Sequence, residues 1–146
     1  MDINYSTPIS LFRFEGADQT VKFIETLQVV DGVECDVYRF EDDNTKDLGI
    51  IIISPGSKTP LQKVLNGDRT IEGHISGYGK LTITKSDGKK EIYTVDDMTT
   101  FVPVTVIIGE LMQWESDGNS TLTVYEICFP PYEDGRYENL MSQTLL

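Results

Sequence analysis

Histidine, basic residues and long apolar runs are all scarce in this sequence. Its 146 residues include one histidine, and 12 lysines and arginines stand against 24 aspartates and glutamates, giving a formal net charge of −12. A field of that sign repels polyphosphates and anionic lipid surfaces, so neither nucleic acid nor a membrane is expected as a partner. The longest apolar run, Ile50–Ile53, is far shorter than the ~20 residues that a membrane-spanning helix needs.

Cysteine is equally scarce, which bears on the redox chemistry that the chain can carry. Cys35 and Cys128 lie far apart in the sequence, and neither belongs to a C-x-x-C motif. Both fall in alternating apolar segments, where a cysteine in a reducing compartment behaves as a small buried hydrophobe. This interpretation is favoured, with a disulfide or a redox role as the alternative.

Length and composition are those of one folded domain over residues 1–146. A chain of this size can bury a core, and its 39% hydrophobic and 25% charged residues are ordinary values for a globular protein. No internal repeat, low-complexity tract or linker divides it. Met1–Tyr5 lack the basic segment followed by an apolar segment that is typical of a signal peptide, so a cytoplasmic location is expected.

Short alternating apolar segments separated by turn residues predict an all-β fold with little helix. Thr26–Val30 and Val33–Phe40 flank Asp31-Gly32, which is the strongest short signal for a β-hairpin. Ala17–Glu25 is ambiguous, and a short helix opened by Asp18 is slightly favoured there. The other predicted strands are Ile9–Phe14, Gly49–Ser54, Thr59–Val64, Arg69–Ser76, Lys80–Thr84, Glu91–Val95, Thr100–Val102, Val104–Glu115 and Thr121–Phe129, with a short C-terminal helix as an option over Glu138–Leu146. Strands at this spacing indicate a sandwich or a jelly-roll barrel.

Two segments carry a more specific pattern. In Gly49–Thr84, a strand leads through Pro55-Gly56 to further strands and to the turn Gly77-Tyr78-Gly79. This resembles the first motif of the cupin superfamily, and Asp97–Met112, with Pro103, resembles the second motif more weakly. The tail Phe129–Leu140 also resembles the closing segment of some small cupins.

The resemblance implies a fold and a division of the chain. The fold is an all-β, cupin-like double-stranded β-helix, or jelly-roll barrel. Its core is expected over residues 49–129, with N-terminal strands from residues 1–48 packing on the barrel and a C-terminal tail over residues 130–146. Residues 1–48 lie outside the resemblance, so they are left open to cap the barrel, to swap between subunits or to extend a sheet.

In metal-bearing cupins the two motifs supply three histidines and one glutamate to the ion. Counting along this chain from Pro55-Gly56, Gly77 and Pro103 places the equivalent positions at Gln62, Val64, Thr70 and Ile108. A first-row metal needs several imidazole, carboxylate or thiolate donors, and only Gln62 offers even a weak one. The resemblance therefore implies no bound metal, and no other cofactor is predicted.

Strand alternation then predicts which side chains line the barrel. If Thr70 points inward, so do Glu72 and His74, and if Ile108 points inward, so do Glu110, Met112 and Trp114. The candidate catalytic residues are His74, Glu72 and Glu110, and the candidate ligand-binding residues are Gln62, Tyr125, Trp114 and Met112. A histidine beside carboxylates suits acid–base work, because a carboxylate raises the imidazole pKa and fixes the tautomer.

A structural interpretation stands beside each of these candidates. A single histidine on a strand is more often a hydrogen-bonded structural residue, and Glu72 has the alternative of lying solvated at the mouth of the barrel. Trp114, Met112 and Ile108 are more often core residues than ligand contacts.

Three functions remain open, and whether the protein is an enzyme is not decided. The favoured one is a metal-free protein that binds a small polar or carbohydrate-like molecule in the barrel. The alternatives are a metal-independent isomerase or epimerase with His74 as acid/base, and a structural protein with a filled barrel. Cupins commonly pair through their sheets, and Val104–Trp114 is apolar on both faces, so a homodimer is expected.

Overall fold

A computed structural model describes residues 9–64, 68–131 and 137–139, with side chains described for the first two ranges. Every regular secondary-structure element in these ranges is a β-strand. They are β1 (Leu11–Phe14), β2 (Ala17–Val30), β3 (Val33–Phe40), β4 (Asp47–Ile53), β5 (Gln62–Val64), β6 (Arg69–Ser76), β7 (Gly79–Thr84), β8 (Lys90–Val95), β9 (Val104–Ile107), β10 (Leu111–Ser116), β11 (Leu122–Phe129) and β12 (Tyr137–Asn139). Within the described ranges, no helix is long and apolar enough to cross a membrane.

The strands form two antiparallel sheets. The larger has the order β1-β2-β3-β4-β11-β6-β9 and the smaller the order β12-β5-β10-β7-β8. Because β11 inserts between β4 and β6, and β10 between β5 and β7, the chain crosses repeatedly from one sheet to the other, as in a jelly roll. The predicted all-β jelly-roll fold is therefore confirmed, and the first three strands extend the seven-stranded sheet.

Four local predictions are corrected by these strands. The helix favoured over Ala17–Glu25 is wrong, because these residues lie in β2, and a bulge between Phe23 and Glu25 shifts the alternation toward a helical spacing. Thr100–Val102 forms no strand. The single strand over Val104–Glu115 is divided into β9 and β10 by a turn at Gly109, whose φ of 90° favours glycine. Glu138 and Asn139 lie in β12, and the rest of the optional C-terminal helix falls outside the described residues.

The seven-stranded sheet buries apolar side chains on both faces. The inner face packs against the smaller sheet around Ile51, Leu81, Trp114 and Val124. The outer face is covered by side chains of the first strands, and its members are Phe12, Phe14, Val21, Tyr38, Phe40, Leu48, Ile50, Tyr125 and Ile127. Because side chains alternate along β11, successive residues of that strand belong to opposite clusters.

The ring of Tyr125 packs directly against the backbone of β6 at Gly73. Its ring packs edge-on against Phe12, with the centroids 5.0 Å apart, and it lies directly opposite Gly73. A Cβ atom on Gly73 would stand 2.0 Å from Cζ of Tyr125, so the ring occupies the space that only a glycine leaves.

Candidate functional site

Two carboxyl groups face each other inside the barrel. Glu72 on β6 lies directly opposite Glu126 on β11, and both side chains are turned to the inner face. Glu72 is 1% exposed, and the indole Nε1–H of Trp114 donates a hydrogen bond of 2.8 Å to its Oε1. No donor from another residue reaches its second oxygen, Oε2. A proton on Glu72 would supply the missing bond, because Oε2 could then donate to Glu126.

The environment of Glu72 favours that proton. Its pKa is raised well above the ordinary value, first by burial and then by the charge of Glu126, and the hydrogen bond between the two side chains raises it further. The bonds from Trp114 and Thr70 act in the opposite direction but do not reverse the shift. The raised pKa of Glu72 thus favours a proton shared with Glu126, and Glu126 is the member of the pair that lines open space.

That open space is a cavity of about 330 Å³ against the inner face of β2, β3, β4 and β11. Its volume lies at the lower end of the range of small-molecule sites. Its lining residues are Leu27, Gln28, Val29, Val33, Cys35, Val37, Asp47, Leu48, Gly49, Ile51, Thr59, Gln62, Glu126 and Cys128. The wall is thus largely hydrocarbon with a few polar groups, which suits a small molecule that has an apolar body and one or two polar atoms.

Both cysteines line this cavity, and no disulfide joins them. Cys35 stands level with Ile51 and Val124 in the sheet, whereas Cys128 lies four residues further along β11. That offset alone is about 13 Å at ~3.3 Å per residue, well beyond disulfide reach. Burial raises the pKa of the Cys35 thiol, and the charge of Glu126 raises it further, so the nucleophilic thiolate form is disfavoured there.

The three candidate catalytic residues do not meet. His74 is half-buried, and its Nε2 lies 2.8 Å from the carbonyl oxygen of Gly77, which accepts its N–H at the turn before β7. Glu110 lies beyond the other end of β7, where it accepts hydrogen bonds from Lys85 Nζ (2.7 Å) and from the backbone N–H of Ile107 (3.0 Å). The length of β7 separates the two by about 17 Å at ~3.3 Å per residue. Only Glu72 remains beside the interior cavity wall.

The four candidate ligand-binding residues have different surroundings. Gln62 lines the cavity, as expected for an inner-face residue. Trp114 and Met112 are 2% and 3% exposed and belong to the inner hydrophobic cluster rather than to the cavity wall. Tyr125 is on the opposite face of the sheet, so its predicted place in the barrel interior is wrong. Burial there, more than the charge of Glu72, raises the pKa of Tyr125 to about 12.

The positions equivalent to the metal ligands of cupins do not fit an ion. Val64 is fully buried in the inner cluster, and the hydroxyl of Thr70 lies 4.0 Å from the sulfur of Met112. Ile108 is 49% exposed in the turn between β9 and β10, so its predicted inward direction is wrong. Within residues 9–64 and 68–131, no three His, Cys, Asp or Glu side chains are grouped so as to hold a metal.

Sequence reasoning missed Glu126, Asp47 and the walls contributed by β2 and β3. Asp47 and Cys35 lie in residues 1–48, which carry no motif. Glu126 sits in a strand whose two faces are both buried, so composition does not reveal which residues point inward. The available signal was alternation: once Tyr125 faces outward, Glu126 must face inward.

No family model matches the chain, and no curated protein matches it in sequence. Solved structures do match. A variant of the oxalate decarboxylase OxdC of Bacillus subtilis superimposes with a TM-score of 0.65 at 19% identity, over 80% of this chain and 30% of that one. The oxalate decarboxylase of Lactobacillus farciminis, in a formate complex, gives 0.64 at 15% identity, over 82% and 33%.

The capsular polysaccharide assembling protein CapF of Staphylococcus aureus gives a TM-score of 0.62 at 13% identity, over 82% of this chain and 34% of that one. This chain therefore spans about a third of the length of each of these proteins. Identities this low establish a common fold and leave activity and ligand open.

Proposed function

We propose that this chain, which has the fold of the cupin superfamily, is a metal-free protein that binds a small polar molecule, carbohydrate-like in size, in its interior cavity. The observation that carries the proposal is the cavity itself: about 330 Å³, mostly apolar, with Gln62, Thr59 and Glu126 in its wall. It lies in a barrel where two of the positions that would hold a metal, Val64 and Thr70, are packed into the core.

The arrangement favours binding over the other two functions. An isomerase or epimerase built on His74 would need a carboxylate within hydrogen-bonding distance of its ring, and the contact of His74 Nε2 is with Gly77 in its own turn. A purely structural barrel would have its interior filled, whereas this one keeps a cavity large enough for a ligand.

A thermal-shift screen tests this proposal. Chelator-washed protein is heated with divalent metals, sugars, sugar phosphates and organic acids and amines in turn. A ligand at 100 times its Kd stabilises by about 2.7 kcal/mol, which is a shift of roughly 5–10 °C for a domain of this size. The same ligand should give no shift with Gln62→Ala or with a cavity-filling Gly49→Leu variant, while Ile92→Ala, exposed on β8, should respond as the unaltered protein does. A shift with a metal alone would contradict the proposal, and so would a flat screen.

We also propose that the chain pairs with a second copy in the cytoplasm. Strand β9 is an edge of the larger sheet, and Val102, Ile107 and Ile108 beside it are 76%, 48% and 49% exposed. Exposed apolar side chains beside an open sheet edge suit pairing of two sheets. Sedimentation at micromolar concentration should give twice the 16.4 kDa chain mass, and Ile107→Lys should give the monomer. A monomeric unaltered protein would contradict the pairing.

A further inference from the structure

A groove lies on the outside of the smaller sheet, at the end where β7 begins. Its volume of about 560 Å³ falls within the range of small-molecule sites. Its floor is a row of side chains on three strands, because Lys80 of β7 lies opposite Thr94 of β8 and opposite Glu115 of β10. Leu81, the next residue of β7, is fully buried, so alternation places the row on the outer face. Among the described residues, the groove shares no lining position with the interior cavity.

Tyr78 lines one end of this groove and is 40% exposed. Its backbone is held in place: its N–H donates to Oγ of Ser120 (3.1 Å), and its carbonyl accepts from the N–H of Asp117 (2.9 Å). The carbonyl of the preceding residue, Gly77, accepts from Nε2 of His74 (2.8 Å). The one histidine of the chain thus helps to anchor a turn that carries an exposed aromatic side chain beside the polar floor.

The charged groups of the groove have partners within the protein. Lys80 Nζ lies 3.8 Å from Oε2 of Glu115, and Asp96 and Asp117 each accept backbone N–H groups of the turn that follows them. These bonds do not exhaust the side chains, because an ammonium can donate three hydrogen bonds and a carboxylate can accept about four. A ligand whose groups both donate and accept, as hydroxyls do, can therefore use the whole floor.

We propose that this groove binds a neutral saccharide, with one face of a sugar ring against Tyr78 and the hydroxyls on the floor. A sugar ring carries C–H groups on its faces and hydroxyls around its rim, which matches an aromatic side chain beside a row of donors and acceptors. An anionic sugar is disfavoured, because the described lining residues include three carboxylates and one ammonium. This site is additional to the interior cavity and does not depend on the function proposed for it.

Saturation-transfer NMR on the full chain at neutral pH tests the proposal, with glucose, maltose, cellobiose and glucose 6-phosphate as probes. At least one neutral sugar is expected to bind, and Tyr78→Ala should raise its Kd about tenfold, which corresponds to ~1.4 kcal/mol. Tyr78→Phe keeps the ring and should leave the Kd within about twofold of the unaltered value. Ile92→Ala is the matched control, because it removes an exposed apolar side chain from the same face of β8, beyond Thr94, and should bind as the unaltered protein does.

The outcomes separate this groove from the interior cavity. The cavity-filling Gly49→Leu variant should bind the sugar unchanged. If it loses the sugar while Tyr78→Ala keeps it, the sugar binds in the interior, which overturns this proposal and supports the function proposed above. A flat result with every neutral sugar, or glucose 6-phosphate bound as tightly as the best of them, also overturns the saccharide groove. If the far-ultraviolet spectrum shows that Tyr78→Ala does not fold, Lys80→Ala on the exposed floor replaces it, with weaker binding as the expected result.

Discussion

Trp114→Ala is expected to lower the free energy of unfolding by about 3–5 kcal/mol, the usual cost of removing a large buried aromatic side chain. Trp114 is 2% exposed at the centre of the inner cluster, and Phe101 packs edge-on against its ring at 6.1 Å between centroids. The substitution also removes the indole N–H that donates to Oε1 of Glu72. Urea unfolding followed by circular dichroism measures the loss.

Trp114→Phe separates the hydrogen bond from the packing. It keeps most of the aromatic surface but removes the indole N–H that donates to the buried Oε1 of Glu72, a loss expected to cost about 1–3 kcal/mol. Ile92→Ala is the control, because Ile92 is 60% exposed and its loss should stay within about 0.5 kcal/mol. If Trp114→Phe proves as stable as the unaltered protein, the bond to Glu72 contributes nothing and the assignment of a specific buried pair is wrong.

Glu72→Gln is expected to raise the free energy of unfolding above that of the unaltered protein at neutral pH. As the pH falls, this advantage should shrink and then reverse. The pKa of Glu72 is raised in the folded state, by burial first and by Glu126 next, so between the unfolded and folded pKa values the folded chain holds one proton more. Stability is then highest below the unfolded pKa of ~4.3 and decreases as the pH rises, by up to about 1.4 kcal/mol per pH unit, until folded Glu72 ionises.

Glutamine at position 72 removes this pH-dependent loss of stability because its side chain is neutral at every pH. Its oxygen can still accept from Trp114 and its amide can donate to Glu126. The variant should therefore gain on the unaltered protein steadily as the pH is raised from 4 to 8, measured as the difference in urea midpoint. A constant difference over that range would show that Glu72 has an ordinary pKa and that no proton is shared.

Glu110→Gln is the matched control for that experiment, since Glu110 is just as buried but has a cationic partner. Its carboxylate accepts from Lys85 at 2.7 Å, and this bond is the main reason that the pKa of Lys85 is raised. Removing the charge should destabilise the protein at neutral pH, because Lys85 loses its nearer carboxylate and keeps only Glu91, at 3.9 Å. Two buried glutamates should thus respond with opposite signs to the same substitution.

The sequence allowed the fold to be predicted better than the site, for a physical reason. Alternation and turn residues are local signals, and they located most strands and the hairpin at Asp31-Gly32. They failed where a bulge changed the phase, as in β2, and where a glycine turn divided an apolar run, as at Gly109. Both failures come from backbone geometry that hydrophobic pattern does not encode.

Predicting the site required knowing which side chains of each strand point into the barrel, and this is harder to read from a sequence than the strands themselves. Glu72 and Trp114 were placed inside the barrel and do meet there, through a hydrogen bond that no sequence pattern predicts. Alternation predicts the same inward face for His74 and Glu110, yet the two lie near opposite ends of β7. Alternation gives the face on which a side chain lies and not its position along the barrel axis. Glu126, the carboxyl group opposite Glu72, was missed because it lies on β11, where both faces are buried and composition gives no direction.

The position of β11 has a consequence for the order in which the chain can be assembled during synthesis. This strand joins β4 to β6, so both strands have been made well before their common neighbour emerges from the ribosome. Until residue 129 is available, the Ile-rich β4 presents an open, apolar edge of the meander β1–β4. An edge of this kind pairs readily with other chains. The nascent protein is thus most exposed to aggregation in the interval between the translation of Ile53 and that of Phe129.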